Sequence, residues 1–220
     1  MSRPSTRTGG KRGEEAGRRQ QLLRASARLF REQGYDATSV RDIAAATGMQ
    51  SGSWVYHFRT KQEILAAVME EGLASALARI EAIAGLDLAP RARFRALVRT
   101  HLETLLGPGQ DFIPVLLYEW RALEPAQRAR VIAPQKRYEH VWTETIHELQ
   151  ASGDWIHPTR ADHLLMFGAL NWIAHWYRRS GPLDVEQLTD DCVTFFLRTL
   201  EPAPARPRRP RKVAKRARRR

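Results

Sequence analysis

Gln50, Ser51 and Ser53 crowd together with Gly52 among them, in the stretch "TSVRDIAAATGMQSGSWVYHF" at residues 38–58. An amide and two hydroxyls at this spacing can hydrogen-bond the edges of nucleic-acid bases. A glycine among them lets the backbone come close to a duplex. The chemistry offered is recognition, not bond breaking. The other candidates for chemistry are scattered. His101, His140, His147 and His163 could serve a small helical enzyme, but the chain has no HExxH, no GxSxG and no paired-carboxylate spacing. His57 has no carboxylate or histidine at ligand spacing. No catalytic residue, no metal site and no cofactor are therefore expected. The one cysteine, Cys192, falls at an apolar-periodic position in "DDCVTFFL", where it reads as a buried small hydrophobe.

The elements that must position these groups all read as helices. "RRQQLLRASARLFREQ" sets Leu22, Leu23, Ala25, Leu29 and Phe30 on one face over residues 18–33, with Gly34 as its stop. Thr38 or Ser39 caps a short helix over 39–46, Gly48 ends it, and a second short helix is expected at 50–57. The alanines at 44–46 let two short helices cross closely, and Met49 can plug their joint. Thr60 then caps a long helix from Lys61 to about Ile83, with Glu63 placed to complete a capping box. Further helices are expected at 90–106, 111–123, 125–151 with a bend at Pro134, 159–179 and 184–199. No alternating strand pattern and no internal repeat appears, so the fold class is all-α.

A short helix, a glycine turn and a second short helix fit the helix-turn-helix plan, and equally an ordinary helical hairpin. Residues 18–72 resemble the N-terminal domain of the TetR family of transcriptional regulators. The likeness rests on the leading helix that ends in "GY", on "TSVRDIA", on the G-x-x-x-G-S/T turn, and on "YHF" followed by a lysine. It implies that Thr38 and Ser39 contact phosphate through hydroxyls and a helix N-terminus. It also implies that Arg41 reaches backbone or a base, that Gln50, Ser51, Gly52 and Ser53 form the reading edge, and that Tyr56, His57 and Lys61 hold phosphates. Phe58 reads as core, and Trp54 as core or as a contact to a thymine methyl group. Gln50 is suited to adenine. Val55 stands where the family often has tyrosine, which implies one phosphate contact fewer. Gln50 stands where it often has serine, which implies a different base preference.

A DNA-binding head needs only the first third of the chain. The rest holds five of the six tryptophans. "FGALNWIAHWYRR" puts Asn171, Trp172, His175, Trp176 and Arg179 on one helical face or its margin. With Trp120 and Arg121 these could wall a site for an apolar ligand with a polar head, or simply pack a core and a dimer contact. Arg137 and Arg178 are further arginines that could meet an anionic head. "ALNWIAHWYRRSGPL" resembles the subgroup of the family that senses acyl-CoA thioesters in steroid and fatty-acid catabolism. That likeness implies an acyl-CoA effector. A planar aromatic or cationic drug is the competing ligand class. Apolar stripes at Leu164, Leu165, Phe167, Leu170, Ile173 and at Leu188, Val193, Phe196, Leu197 argue for a homodimer.

Charge separates the body from its ends. The chain carries +12 over 220 residues, but six Lys/Arg lie in residues 1–20 and ten in 206–220, leaving 20 basic against 22 acidic residues between them. The division expected is a disordered basic arm at 1–17, a helix-turn-helix domain at 18–62, a helical ligand-binding and dimerisation domain at 63–201, and a disordered basic tail at 202–220. No apolar run approaches the roughly 18 residues of a membrane span, and the basic start lacks a secretory apolar region. With a lone thiol, this fits a cytoplasmic protein. The partners expected are double-stranded DNA at a palindromic operator and a small-molecule effector, with no membrane. The protein reads as a ligand-responsive transcriptional regulator, a repressor by the family's pattern. A non-specific architectural DNA binder driven by the tails, and a small helical enzyme, are the alternatives.

Overall fold

The computed structural model describes residues 8–49, 53–107, 110–155 and 159–197. Among them eight α-helices succeed one another and no strand forms. They are α1 (Thr8–Gln33), α2 (Val40–Ala46), α3 (Lys61–Ala84), α4 (Pro90–Leu106), α5 (Phe112–Tyr118), α6 (Pro125–Ser152), α7 (Arg160–Trp176) and α8 (Val185–Phe196). Single 3₁₀ turns occupy Ser53–Tyr56 and Trp120–Ala122.

The starts follow local chemistry. Ser39 and Asp42 close a capping box on α2, Thr159 and Asp162 close one on α7, and Asp184 caps α8. Each cap satisfies an orphan N–H and contributes about 1 kcal/mol. Pro90 and Pro125 open α4 and α6 where no N–H is needed. The box expected at α3 is only half made. Thr60 accepts from the Glu63 N–H, but the Glu63 carboxylate takes the Arg59 N–H at 2.7 Å instead of that of Thr60.

Four elements differ from expectation. The second short helix expected at 50–57 appears, among the described residues, as a 3₁₀ turn over Ser53–Tyr56. α1 begins at Thr8, so the arm expected to be disordered through residue 17 is helical from residue 8. Glu14–Arg18 and Glu15–Arg19 stand at i,i+4 there, a spacing that supports an exposed helix despite its glycines. The helix expected over 111–123 is broken into α5 and a 3₁₀ turn. α7 ends at Trp176, because Tyr177 turns extended and Arg179 Nε donates to the Leu106 carbonyl at 3.0 Å. α6 runs through Pro134 as one element.

α3 is the hub, touching α1, α4, α5 and α6. Neighbours on several sides explain why Ile64 to Met69 are all buried, with no polar face among them. Gly72 is a point of close approach. A Cβ there would lie 2.6 Å from the Phe112 Cβ, so only glycine lets α5 sit this near. Trp142 is wholly buried, with the Phe94 ring edge-on at 6.1 Å and the His101 ring at 5.9 Å. α8 packs along α4, where Arg95 pairs with Glu186 and Asp190 and Arg99 pairs with Glu186.

Candidate nucleic-acid interface and ligand cavity

In the head, α2 is held by what surrounds it. Ile43 and Ala44 are buried while Arg41, Ala45 and Ala46 face outward. Of the three alanines only Ala44 is buried. Gly48 takes φ +67 after the helix, a left-handed turn that a side chain would strain. Met49 and Trp54 lie partly buried against the core. Phe58 is buried, as its neighbours require. Tyr56, at the end of the 3₁₀ turn, is 86% exposed, and His57 after it is half-buried. Ser39 is exposed. Its Oγ accepts the Asp42 N–H at 3.2 Å and its hydroxyl also hydrogen-bonds the Asp42 carboxylate, so it is engaged within the cap. The Ser39 hydrogen bonds hold the Asp42 carboxyl below the usual carboxylate range.

Two residues assigned to phosphate are differently engaged. Thr38 is buried, and its hydroxyl donates inward to the Gly34 carbonyl at 2.8 Å, so it offers no hydroxyl to a backbone phosphate. Lys61 Nζ donates to the carbonyls of Tyr35 at 2.8 Å and Thr38 at 2.9 Å and sits over the Tyr35 ring. Two of its three N–H groups are thus committed to the α1–α2 turn. Gln50, Ser51 and Gly52 lie outside the described residues, and Ser53 opens the 3₁₀ turn.

The second site is a half-open cavity of about 610 Å³ lined by α3, α4, α5 with its following 3₁₀ turn, α6 and α7. Leu73, Ile113, Leu116, Leu117, Trp120 and Phe167 supply its apolar wall. Its size and lining suit a small molecule with an apolar body. Along α7 the lining residues are Arg160, His163, Leu164, Phe167 and Asn171, an unbroken i, i+3, i+4 stripe. His101 from α4 sits at this wall, wholly inside the protein. Its Nδ1 lies 2.8 Å from the Tyr138 hydroxyl and its Nε2 3.1 Å from Asn171 Oδ1. Burial pushes the His101 pKa down to about 4, against the opposing pull of the Asn171 hydrogen bond, so the ring is neutral. Burial likewise raises Tyr138 and keeps its phenol protonated. His163 stacks on Phe167 at 5.1 Å, and burial lowers its pKa.

Of the six residues assigned to the ligand, only Trp120 lines the cavity. Arg121 is exposed. Trp172 and Trp176 are 62% and 46% exposed on another face of α7. His175 lies between the rings of Trp172 and Tyr118 at the surface. Arg179 is bound to the Leu106 carbonyl and Arg137 to Glu81. The assigned residues and the cavity lining differ in phase along the helix. Tryptophan content drew attention to the 172/176 face, whereas the cavity takes the 160/163/164/167/171 stripe. Phe167 and Asn171 carried the signal in that periodicity. Cys192 is half-buried, with its thiol pushed up to about 11 by burial and by Asp191.

Besides α3, which packs on α1 and lines the cavity through Leu73 and Ala76, a second segment joins head and cavity. Asp111, at the start of α5, accepts from Arg31 of α1 at 2.6 Å. At the other end, Gln62 of α3 donates to the Ala122 carbonyl at 2.7 Å and accepts the Glu124 N–H at 3.1 Å. Between these two clamps lie the cavity-lining Ile113, Leu116, Leu117 and Trp120.

A helix-turn-helix head clamped to a helical body with an apolar cavity defines a ligand-sensing DNA-binding regulator. The chain matches the family described as bacterial regulatory proteins, tetR family, over residues 22–68. It also matches the tetracyclin repressor-like C-terminal domain over residues 87–200. It belongs to the tetR family and is a transcriptional regulator, not an enzyme. Among curated relatives, the HTH-type transcriptional repressor KstR2 of Rhodococcus jostii is 28% identical over 199 residues, 88% of this chain and 94% of that one. Among solved structures, AibR in complex with isovaleryl coenzyme A and operator DNA superposes with a TM-score of 0.74 at 26% identity, covering 81% of this chain and 97% of that one. The superantigen PfiT superposes with a TM-score of 0.69 at 36% identity, covering 81% and 95%. Among the described residues no helix is long and apolar enough to cross a membrane.

Proposed function

We propose that this protein is a homodimeric, cytoplasmic repressor that leaves a palindromic operator when a small molecule, an acyl-CoA thioester by preference, enters the cavity. The observation that carries this reading is the shared segment. Residues 112–120 wall the cavity, while Arg31–Asp111 and Gln62–Ala122/Glu124 tie both its ends to the head. A ligand that displaces this wall changes the seating of α1 and of the start of α3. It can shift operator binding only by its differential affinity for the two arrangements.

The head takes residues 18–62 and the body begins with α3, which is packed by both. Ser39, Arg41, Tyr56, His57 and the segment Gln50–Ser53 face the duplex. Two copies pair through the outer face of α7, where Leu165, Gly168, Ala169, Trp172 and Trp176 are exposed at i, i+3, i+4 spacing. KstR2 is named a repressor, and AibR was crystallised with an acyl-CoA and operator DNA. Both support the reading.

The test is a binding titration on an operator selected from random duplexes. Sequence-specific binding, with release by isovaleryl-CoA or longer acyl-CoAs and none by free CoA, is expected. Operator binding unmoved by any acyl-CoA would remove the effector class and leave the regulator. Deleting residues 206–220 separates the architectural alternative: the repressor keeps its sequence preference without the tail, whereas a non-specific binder loses most of its binding.

A further inference from the structure

The polar relay at the cavity wall has a direction, and that direction determines what the cavity can bind. Tyr138 is buried and its phenol carries one proton. The hydroxyl lies 2.8 Å from His101 Nδ1, and its other neighbour, the Trp142 indole, can only donate to it. A buried donor left unpaired is costlier than a spare lone pair, so the phenol donates and Nδ1 accepts. A neutral imidazole that accepts at Nδ1 carries its proton on Nε2. Nε2 therefore donates to Asn171, which must present its oxygen, at 3.1 Å. The Asn171 Nδ2 group is then turned away from the relay. Asn171 lines the cavity, and no partner for Nδ2 exists among the described residues. Two N–H donors at the cavity wall are left for whatever fills it.

Resting on the cavity as the effector site, we infer that it selects its ligand through a neutral hydrogen-bond acceptor, a carbonyl oxygen, seated on the side-chain amide of Asn171. Charge placement favours a carbonyl over a carboxylate there. The lining arginine, Arg160, is eleven residues away on the same helix, about 16 Å along its axis. A desolvated anion there would sit beside a neutral amide and a neutral imidazole; Arg79, which donates to the lining Thr104, is already paired with Glu103, and the lining Glu139 adds repulsion. The apolar wall between Asn171 and Arg160, with Phe167 and Leu164, takes the hydrocarbon body.

Calorimetric titration of the full chain with three probes of equal length, 2-decanone, decane and decylammonium, tests this. Wild type should bind the ketone roughly three- to tenfold tighter than the alkane, the worth of one net hydrogen bond. Asn171→Leu should abolish that preference while still binding decane, which also reports an intact cavity. Asn171→Asp keeps an oxygen for His101 and turns an oxygen to the cavity. It should reverse the order, with decylammonium above the ketone, and its helical melt guards against misfolding. Equal binding of ketone and alkane by wild type, or a ketone preference that survives Asn171→Leu, overturns the inference while leaving the cavity as a ligand site. Failure of every probe to bind wild type overturns the cavity reading itself.

Discussion

Lys61 and Thr38 are joined across the head: the lysine ammonium lies 2.9 Å from the threonine carbonyl, and it also holds Tyr35. The residue that the resemblance assigned to phosphate is thereby part of the scaffold that sets the angle between α1 and α2. Lys61→Ala should lower stability by about 1.5–3 kcal/mol, the range for hydrogen bonds to charged groups, and weaken binding to every duplex through a loosened head. A thermal melt beside salt titrations decides it. A purely phosphate-contacting lysine would leave the melt unchanged and reduce the salt slope by about 0.9. Thr38→Val should act the same way, since it removes the hydroxyl that donates to Gly34.

The Gln62 clamp separates affinity from response. Gln62→Ala removes both hydrogen bonds to the 122–124 backbone and leaves the cavity lining untouched. Effector affinity for the free protein should change little, while the effector-induced loss of operator affinity shrinks roughly 2- to 30-fold, the range for residues that carry coupling between sites. Operator titrations with and without saturating isovaleryl-CoA give the ratio. An unchanged ratio would take Gln62 out of the coupling path.

His101 makes stability depend on acid. Its folded pKa is depressed from 6.5 to about 4, so below pH 6.5 the unfolded chain binds a proton that the folded chain refuses. The contribution is full above about pH 6.5 and is lost as pH falls through 4, amounting to about 3 kcal/mol. The groups facing the ring are Tyr138, Trp142, Phe167 and Asn171, none of them charged. Denaturant unfolding at pH 7 and pH 4.5 should show a smaller stability loss in the double variant His101→Leu/Tyr138→Phe than in wild type. Equal losses would mean that His101 is accessible to protons in the fold.

What could be read in advance was local. The caps at Ser39 and Thr159, the glycine turn at 48 and the proline starts at 90 and 125 are written in adjacent residues, and the helices begin there. What escaped depends on distant partners. Nothing near Thr38 says that its hydroxyl will turn inward to Gly34, and nothing near Lys61 says that Tyr35 lies within reach. The cavity shows the same limit. Trp172 and Asn171 are neighbours in sequence on different faces of α7, and packing of α4 and α6 against that helix decides which one lines the site. The stripes expected to pair two copies were likewise divided. Leu170, Ile173, Leu188, Val193 and Leu197 are consumed inside the chain, and Phe167 lines the cavity.

That division relocates the expected dimer contact and gives it a test. Leu165 is 70% and Trp172 62% exposed on α7, one above the other at i, i+7, with Gly168 and Ala169 between them. Small residues flanked by large apolar ones let a second helix approach closely, and side chains this exposed contribute nothing to the isolated fold. Leu165→Glu and Trp172→Glu should therefore leave the thermal melt of the monomer nearly intact while breaking the pair. A double variant should sediment as a monomer at micromolar concentration, where wild type sediments as a dimer. Its affinity for a palindrome should fall to that for a single half-site, because the second head is no longer delivered one helical turn, about 34–36 Å, away. Dimeric sedimentation of the double variant would place the contact elsewhere, and a wild-type monomer would remove the two-headed arrangement altogether.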